Sequence, residues 1–329
     1  MKLQGKKVLV TGAGGFVGSH LVEALTEYGC QVKAFVHYNS RNDWGYLEDL
    51  KKDLMDKVEV FSGDLRDSDC VRKAIGEQQV VFHLGALVGI PYSYVNPSDV
   101  VETNVKGTLN LLLASLDSSI EKFIHTSTSE VYGDAQYTPM DENHPVSPQS
   151  PYAASKASSD FLAKSFFESY DLSVAIIRPF NIYGPRQSAR SVIPNIIAQG
   201  LLKDRIEVGS VFPTRDYTYV EDTAKGFVSF AECDETLGEV VNLGTGEEVS
   251  IEKLVELIGE LLDKKLKISE TEKRKRPEKS EVKRLVANPG KARELFGWKP
   301  EISIRQGLHL TIDWIKNNLS RYKTGIYNI

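Results

Sequence analysis

The sequence of 329 residues predicts an α/β fold, a doubly wound parallel sheet with a smaller C-terminal α/β region. Three observations carry this expectation. Short β-branched apolar runs alternate with helical patterns from the N-terminus onward, as a parallel sheet with crossover helices requires. The first run, residues 6–10, leads at once into Thr11-Gly-Ala-Gly-Gly-Phe-Val-Gly18 and then into the helical spacing of Leu21, Val22 and Leu25. Much later, Ser150-Pro-Tyr-Ala-Ala-Ser-Lys156 reads as a helix start, with Ser150 a good N-cap and Pro151 suited to the first turn.

Between strand and helix, Gly12, Gly15 and Gly18 would turn the chain tightly and bring backbone N–H groups close to a pyrophosphate. Phe16 and Val17 open the helix that points at it. A dinucleotide cofactor is therefore expected. The second strand, residues 31–37, should end near the adenosine ribose, where an NAD site usually carries an acid. Here the chain offers Tyr38, Asn39, Ser40 and Arg41 instead, so Ser40 and Arg41 are free to take a 2′-phosphate, and NADP is favoured over NAD with both left open. Strands at 58–61 and 80–84 lead into Asp64-Leu65, where the Asp can accept from an adenine amino group, and into Leu84-Gly85-Ala86, small enough for a cofactor to lie close.

A helix over 104–116 and a fifth strand over 122–125 follow, and the strand runs into Thr126-Ser-Thr-Ser-Glu130. Ligands of such sheets sit at the carboxyl ends of the strands. Thr128 or Ser127 could hydrogen-bond a substrate oxygen there, and Glu130 adds a carboxylate. Tyr152 and Lys156 lie one helical turn apart, and an ammonium beside a phenol favours phenolate, lowering it toward working pH. A sixth strand over 172–177 ends at Pro179, where the alternation breaks. Residues 1–178, with 216–243 returning to them, are expected to form the dinucleotide-binding domain; 179–215 and 244–329 form the second. Helices are expected at 192–202, from Ser250 to about 261, and at 304–319, with one more strand over 239–243.

Composition limits the alternatives. With 41% hydrophobic and 26% charged residues the chain is ordinarily globular. A net charge of −5, with Lys273-Arg-Lys-Arg276 the one single-sign block, does not suggest nucleic acid. Cys30, Cys70 and Cys233 are too far apart for a disulfide framework or a metal site. No signal-peptide pattern and no apolar run of membrane-spanning length is visible, so a cytoplasmic protein without a membrane partner is expected.

Taken together, T-G-A-G-G-F-V-G at 11–18, G-D-L at 63–65, H-L-G-A at 83–86, Y-A-A-S-K at 152–156, R-P-F-N-I-Y-G-P-R at 178–186 and R-D-Y-T-Y-V-E-D at 215–222 resemble the extended short-chain dehydrogenases/reductases that act as nucleotide-sugar epimerases and dehydratases. The resemblance implies a Rossmann-like fold and a nucleotide-sugar substrate. Thr128-Ser129-Glu130 resembles the triplet of the 4,6-dehydratases, which puts Thr128, Ser129, Glu130, Tyr152 and Lys156 in catalysis. Tyr38-Asn-Ser, Trp44-Gly-Tyr-Leu-Glu48 and Arg276-Pro-Glu-Lys-Ser-Glu-Val282 look closer to dehydratases of legionaminic-acid-type pathways, which use a nucleotide-linked N-acetylglucosamine. By the same resemblance Asn181, Arg215 and Arg276 face the substrate diphosphate, Glu281 faces its ribose, and a homodimer forms through helices near 104–116 and 151–170. A 4-epimerase and a 5,6-dehydratase are the rival readings.

Overall fold

Strands that are apolar on both faces must be covered on both faces. The computed structural model describes residues 1–323, and its centre is a seven-stranded parallel sheet. The strands are β1 (Lys7–Thr11), β2 (Gln31–His37), β3 (Val58–Gly63), β4 (Val80–His83), β5 (Lys122–Thr126), β6 (Val174–Pro179) and the strand Val240–Leu243. Across the sheet the order is Val240–Leu243, β6, β5, β4, β1, β2, β3. Sequence order reverses between β1 and β4, so a crevice opens at their carboxyl ends.

Alternate residues of β1 serve the two faces. Val8 and Val10 pack with Leu21, Val22, Leu25, Phe227 and Phe230, which places α1 (Phe16–Glu27) and the helix Val220–Glu232 on one side. Leu9 packs with Val71, Leu111, Leu112 and Phe166 on the other. A second apolar cluster joins Ile196, Ile197, Leu254, Ile258, Leu308 and Ile312, from the helices Val192–Leu202, Ile251–Leu262 and Ile304–Asn317. Between the clusters lie short pairings: Asn181–Tyr183 runs parallel to Tyr217–Tyr219, and Thr214–Arg215 lies between Val249–Ser250 and Arg284–Leu285.

The expected elements are found with shifted ends. The sixth strand starts at Val174 rather than 172, because Asp171 turns left-handed (φ 55°) and the Leu172 N–H closes back on the Phe166 carbonyl. The helix expected at 104–116 begins inside a π-helical turn, Glu102–Lys106, before Gly107–Leu116. The last helix stops at Asn317, two residues early. The two- and three-residue strands were invisible to periodicity, which needs at least four residues to register.

Gly12 has φ +69°, and a Cβ on it would meet the Gly85 backbone at 2.9 Å; a Cβ on Gly18 would fall onto the Gly12 carbonyl oxygen. Gly18→Ala should therefore lower stability by about 1–3 kcal/mol through forced overpacking. Urea unfolding of the variant against the parent checks this; an unchanged midpoint would show that the turn can move aside.

Candidate active site

The crevice is built on that glycine contact. Thr108 donates its one proton to the Asn104 carbonyl at 2.5 Å, so its oxygen accepts from His83 Nε2 at 2.9 Å. A neutral His83 then accepts at Nδ1 from the Thr11 hydroxyl at 2.8 Å, and the Thr11 oxygen accepts from the Gly85 N–H at 3.0 Å. Burial pushes His83 well below its ordinary value, which keeps it neutral as this directed chain requires. The N-terminus of α1 has no side-chain cap at Gly15, leaving its first N–H groups to the crevice. Phe16 and Val17 are half-buried behind it, and Leu84 and Ala86 flank Gly85.

At the far end of the crevice Tyr38 is exposed, and the Asn39 side chain organises the loop, its amide donating to the Asp43 carbonyl (2.7 Å) and its oxygen accepting from the Arg41 N–H (3.0 Å). Ser40 is exposed, and Arg41 is exposed and lies 3.5 Å from Asp43. Asp43, two residues beyond Arg41, is half-buried in this loop. Asp64, expected to accept from adenine, already accepts the Arg66 guanidinium at 2.6 Å, and that hydrogen bond is the main reason its carboxyl lies below the usual range. Leu65 is buried against Gly85 and Gly107.

Ser150 caps the helix Pro151–Tyr170 as expected, accepting from the Ala153 N–H at 3.1 Å. Tyr152 and Lys156 are both buried on it. The sequence left Thr128 and Ser127 as alternatives, and the hydrogen bonds separate them. Ser127 donates to Asp160 at 2.7 Å and is committed. Thr128 accepts from the Glu130 N–H at 3.3 Å, and its proton is left for the Tyr152 oxygen. The expected lowering of the phenol by Lys156 is not found. Burial pushes Tyr152 up, Thr128 is the one group that pulls it down, and Glu130 and Asp160 push it further up. Desolvation outweighs the neighbouring charge here. The same burial pushes Lys156 down to about 8, opposed by Asp160. Ser129 and Glu130 are buried in the turn Ser129–Tyr132 that follows β5.

Glu130 faces a cluster of charges. Arg276 Nη1 stands 3.6 Å from Glu130 Oε1, and Arg215 Nη2 stands 3.9 Å from Glu281 Oε1. Burial pushes Arg215 down, with Glu130 and Glu281 opposing; for Arg276 burial is overcome by the same two carboxylates and the net direction is up. The Tyr217 hydroxyl is buried beside both arginines and has no hydrogen-bond partner among the described residues. Asn181 is half-buried on the adjoining strand, its N–H held by the Asp216 carbonyl at 3.0 Å. The structure therefore brings Glu130, Arg215, Arg276 and Glu281 into one group.

Several residues here escaped the sequence reading. Asn104, in the π-turn, joins the loop after β4 to the Tyr152 helix: its amide donates to the Leu87 carbonyl (3.1 Å) and to the Ser155 hydroxyl (2.9 Å), and its oxygen accepts from the Leu87 N–H (2.8 Å). A π-turn breaks the helical period, so no pattern marked it. Asp160 does carry a signal, being the next residue after Tyr152 and Lys156 at four-residue spacing. Tyr217 was visible only as part of the R-D-Y motif.

The family model described as GDP-mannose 4,6 dehydratase matches residues 9–311. The chain belongs to this family. With it, the chain is an extended short-chain dehydrogenase/reductase of the nucleotide-sugar epimerase and dehydratase group, as its motifs implied. Relatives lie on both sides of that group. A putative UDP-glucose 4-epimerase of Methanocaldococcus jannaschii is 33% identical, over 94% of this chain and 99% of that protein. Among solved structures, UDP-glucuronic acid 4-epimerase from Bacillus cereus, in complex with UDP-glucuronic acid and NAD, superposes with a TM-score of 0.86 at 30% identity, over 95% of this chain and 99% of the other. A dTDP-glucose 4,6-dehydratase from Streptomyces venezuelae with NAD bound superposes with a TM-score of 0.87 at 27% identity, over 96% and 99%.

Asn104→Ala removes two hydrogen bonds to Leu87 in the β4 loop and one to Ser155 on the Tyr152 helix, and leaves the half-buried Leu87 N–H without its partner. It should destabilise the protein by about 1–3 kcal/mol in urea unfolding; no change would mean that water replaces the amide without loss.

Proposed function

We propose that this enzyme is a nucleotide-sugar 4,6-dehydratase, converting a UDP- or GDP-linked N-acetylglucosamine to the 4-keto-6-deoxy sugar. The observation that carries the proposal is Glu130, a buried carboxylate whose charge reaches Tyr152 and which sits beside Thr128. An epimerase needs the phenol and the cofactor but has no work for a second base. The epimerase reading stands second because relatives of equal similarity carry that name.

The site fits a nicotinamide dinucleotide: Gly12 and Gly85 leave a cradle that a Cβ would fill, and the uncapped start of α1 offers N–H groups to a pyrophosphate. Gly12, Gly15, Phe16, Val17, Gly18, Leu84, Gly85 and Ala86 would hold it, with Tyr38 to Arg41, Asp64 and Leu65 at the adenosine end. When bound it supplies a hydride acceptor at C4 and a hydride donor at C6. We assign NAD rather than NADP, on the support of Asp43 engaging Arg41 and of NAD in the similar structures.

The chain's own residues move protons. Tyr152, oriented by Thr128 and backed by the Lys156 cation, takes the proton of the sugar 4-hydroxyl. The 4-keto group makes the C5 proton acidic, Glu130 removes it, and hydroxide departs from C6. With Ser129 where an acid could stand, the departing hydroxide draws its proton from Glu130 or from water held by the Ser129 hydroxyl. Arg215 and Arg276 suit the substrate diphosphate as guanidinium forks, with Asn181 beside them and Glu281 at the ribose. Residues 1–178 with 216–243 then form the cofactor half and the second apolar cluster supports the sugar half; six residues of the 179–215 and 244–329 assignment lie outside those described. Exposed Leu113 and Phe161 support a homodimer through the helices Gly107–Leu116 and Pro151–Tyr170 that carry them. Among the described residues no helix is long and apolar enough to cross a membrane.

Incubation with UDP-N-acetylglucosamine, GDP-N-acetylglucosamine and GDP-mannose separately, followed by mass spectrometry, should give loss of one water from one of them with no net cofactor reduction. Cofactor released from the denatured protein should be NAD. Glu130→Gln should slow water loss about 100- to 10,000-fold while a proton still leaves the 4-hydroxyl. A stereoisomer of unchanged mass would establish the epimerase instead.

A further inference from the structure

Lys156 has a neighbour that the chemistry above does not use. Asp160 stands one turn further along the same helix face, so Tyr152, Lys156 and Asp160 follow one another at four-residue spacing. It is 3% exposed. Its Oδ2 accepts from the Ser127 hydroxyl at 2.7 Å, from Arg178 Nε at 3.0 Å and from Arg178 Nη2 at 2.9 Å. Arg178 also donates to the Tyr132 hydroxyl at 3.0 Å, and that hydroxyl donates to Asn242 at 2.7 Å. The network joins β5, β6, the Ser129–Tyr132 turn and the Tyr152 helix, all of it buried.

Asp160 Oδ2 takes all three of the hydrogen bonds from Ser127 and Arg178, and Oδ1 faces His125, whose Nε2 lies 3.2 Å away. Burial alone would raise the Asp160 carboxyl, yet His125, the Arg178 charge and Ser127 hold it below the usual carboxylate range, so it is an anion. The groups that face Lys156 from the packed elements are His83 on β4, His125 on β5 and, further along, Arg178 on β6, with Tyr152 and Asp160 on its own helix. Both histidines are pushed down by burial, His125 to about 4, and are neutral. Among the described residues Asp160 is therefore the one anion that opposes the loss of charge on Lys156.

We propose that Asp160 is a positioning residue for Lys156: the buried anion that keeps the lysine a fixed cation beside Tyr152, held in its turn by Arg178, Ser127 and His125. The proposal rests on reading Tyr152 and Lys156 as the reacting pair. The sign of the effect follows from burial. Without Asp160 nothing offsets desolvation, so Lys156 gives up its proton at lower pH, and the alkaline fall of kcat moves to lower pH with it.

The test compares Asp160→Asn, Asp160→Glu, the double variant Asp160→Asn with Arg178→Met, and Lys156→Met in the full chain, measuring kcat and KM against pH and thermal midpoints. Asp160→Asn should lose about tenfold or more in kcat near neutral pH, with KM little changed and the alkaline limb shifted acidward; Asp160→Glu should recover most of the activity. The double variant removes both buried charges, so it should regain stability without regaining kcat. Should Asp160→Asn fail to fold, the double variant decides. An unshifted alkaline limb, or kcat returning together with stability in the double variant, would overturn the proposal. A fully active Lys156→Met would instead overturn the reading of the reacting pair, and the proposal with it; an inactive Lys156→Met beside a normal Asp160→Asn would overturn the proposal alone.

Discussion

A lysine ammonium buried beside a phenol loses its hydration, and the loss must be offset by charges of opposite sign nearby. Lys156 is 4% exposed, and much of the surrounding architecture answers that constraint. Asp160 lies one turn away, Arg178 offsets Asp160 in turn, and His83 and His125 are kept neutral so that no further cation competes. The parallel sheet makes the arrangement possible, because β4, β5 and β6 end side by side beneath the Tyr152 helix and deliver one polar residue each. Function and fold meet in that layer: the residues that let a cation stay buried also fix where the phenol stands.

A second cluster follows the opposite logic. Glu130, Arg215, Arg276 and Glu281 form two loose pairs, at 3.6 and 3.9 Å, rather than tight forks. Among the described residues, Arg276 Nη1 and the Tyr217 hydroxyl have no hydrogen-bond partner. Groups arranged in this way suit a ligand that brings its own negative charge, and a sugar diphosphate is such a ligand. The scaffold does not make the choice between epimerising and dehydrating a sugar, because it superposes equally well on a 4-epimerase and a 4,6-dehydratase; under the function proposed above, Glu130 makes it.

Much of this was legible in the residues. The glycine loop, the strand alternation and the Ser150-Pro151 helix start are local signals, and each appeared where expected. Thr128, Glu130, Tyr152 and Lys156 were visible because they follow a strand end or share a helix face. What stayed hidden depends on contacts between distant segments. Ser127 and Thr128 look interchangeable until Asp160, from another element, claims one of them. Burial of Tyr152 could not be weighed against Lys156 before the packing was known. Asp43 lay beyond the positions at which an acid was sought, because the loop led by Asn39 folds it back toward Arg41.

The central claim is that Tyr152 and Lys156 support reversible oxidation at C4 of a nucleotide-linked sugar on a retained cofactor. Rapid mixing of the purified enzyme with the nucleotide sugar, followed by absorbance of reduced nicotinamide, tests it within one turnover. The account predicts a signal that rises and then decays as product forms, and that is absent in Tyr152→Phe. Product without any transient reduction, or a transient of parental size in Tyr152→Phe, would contradict it.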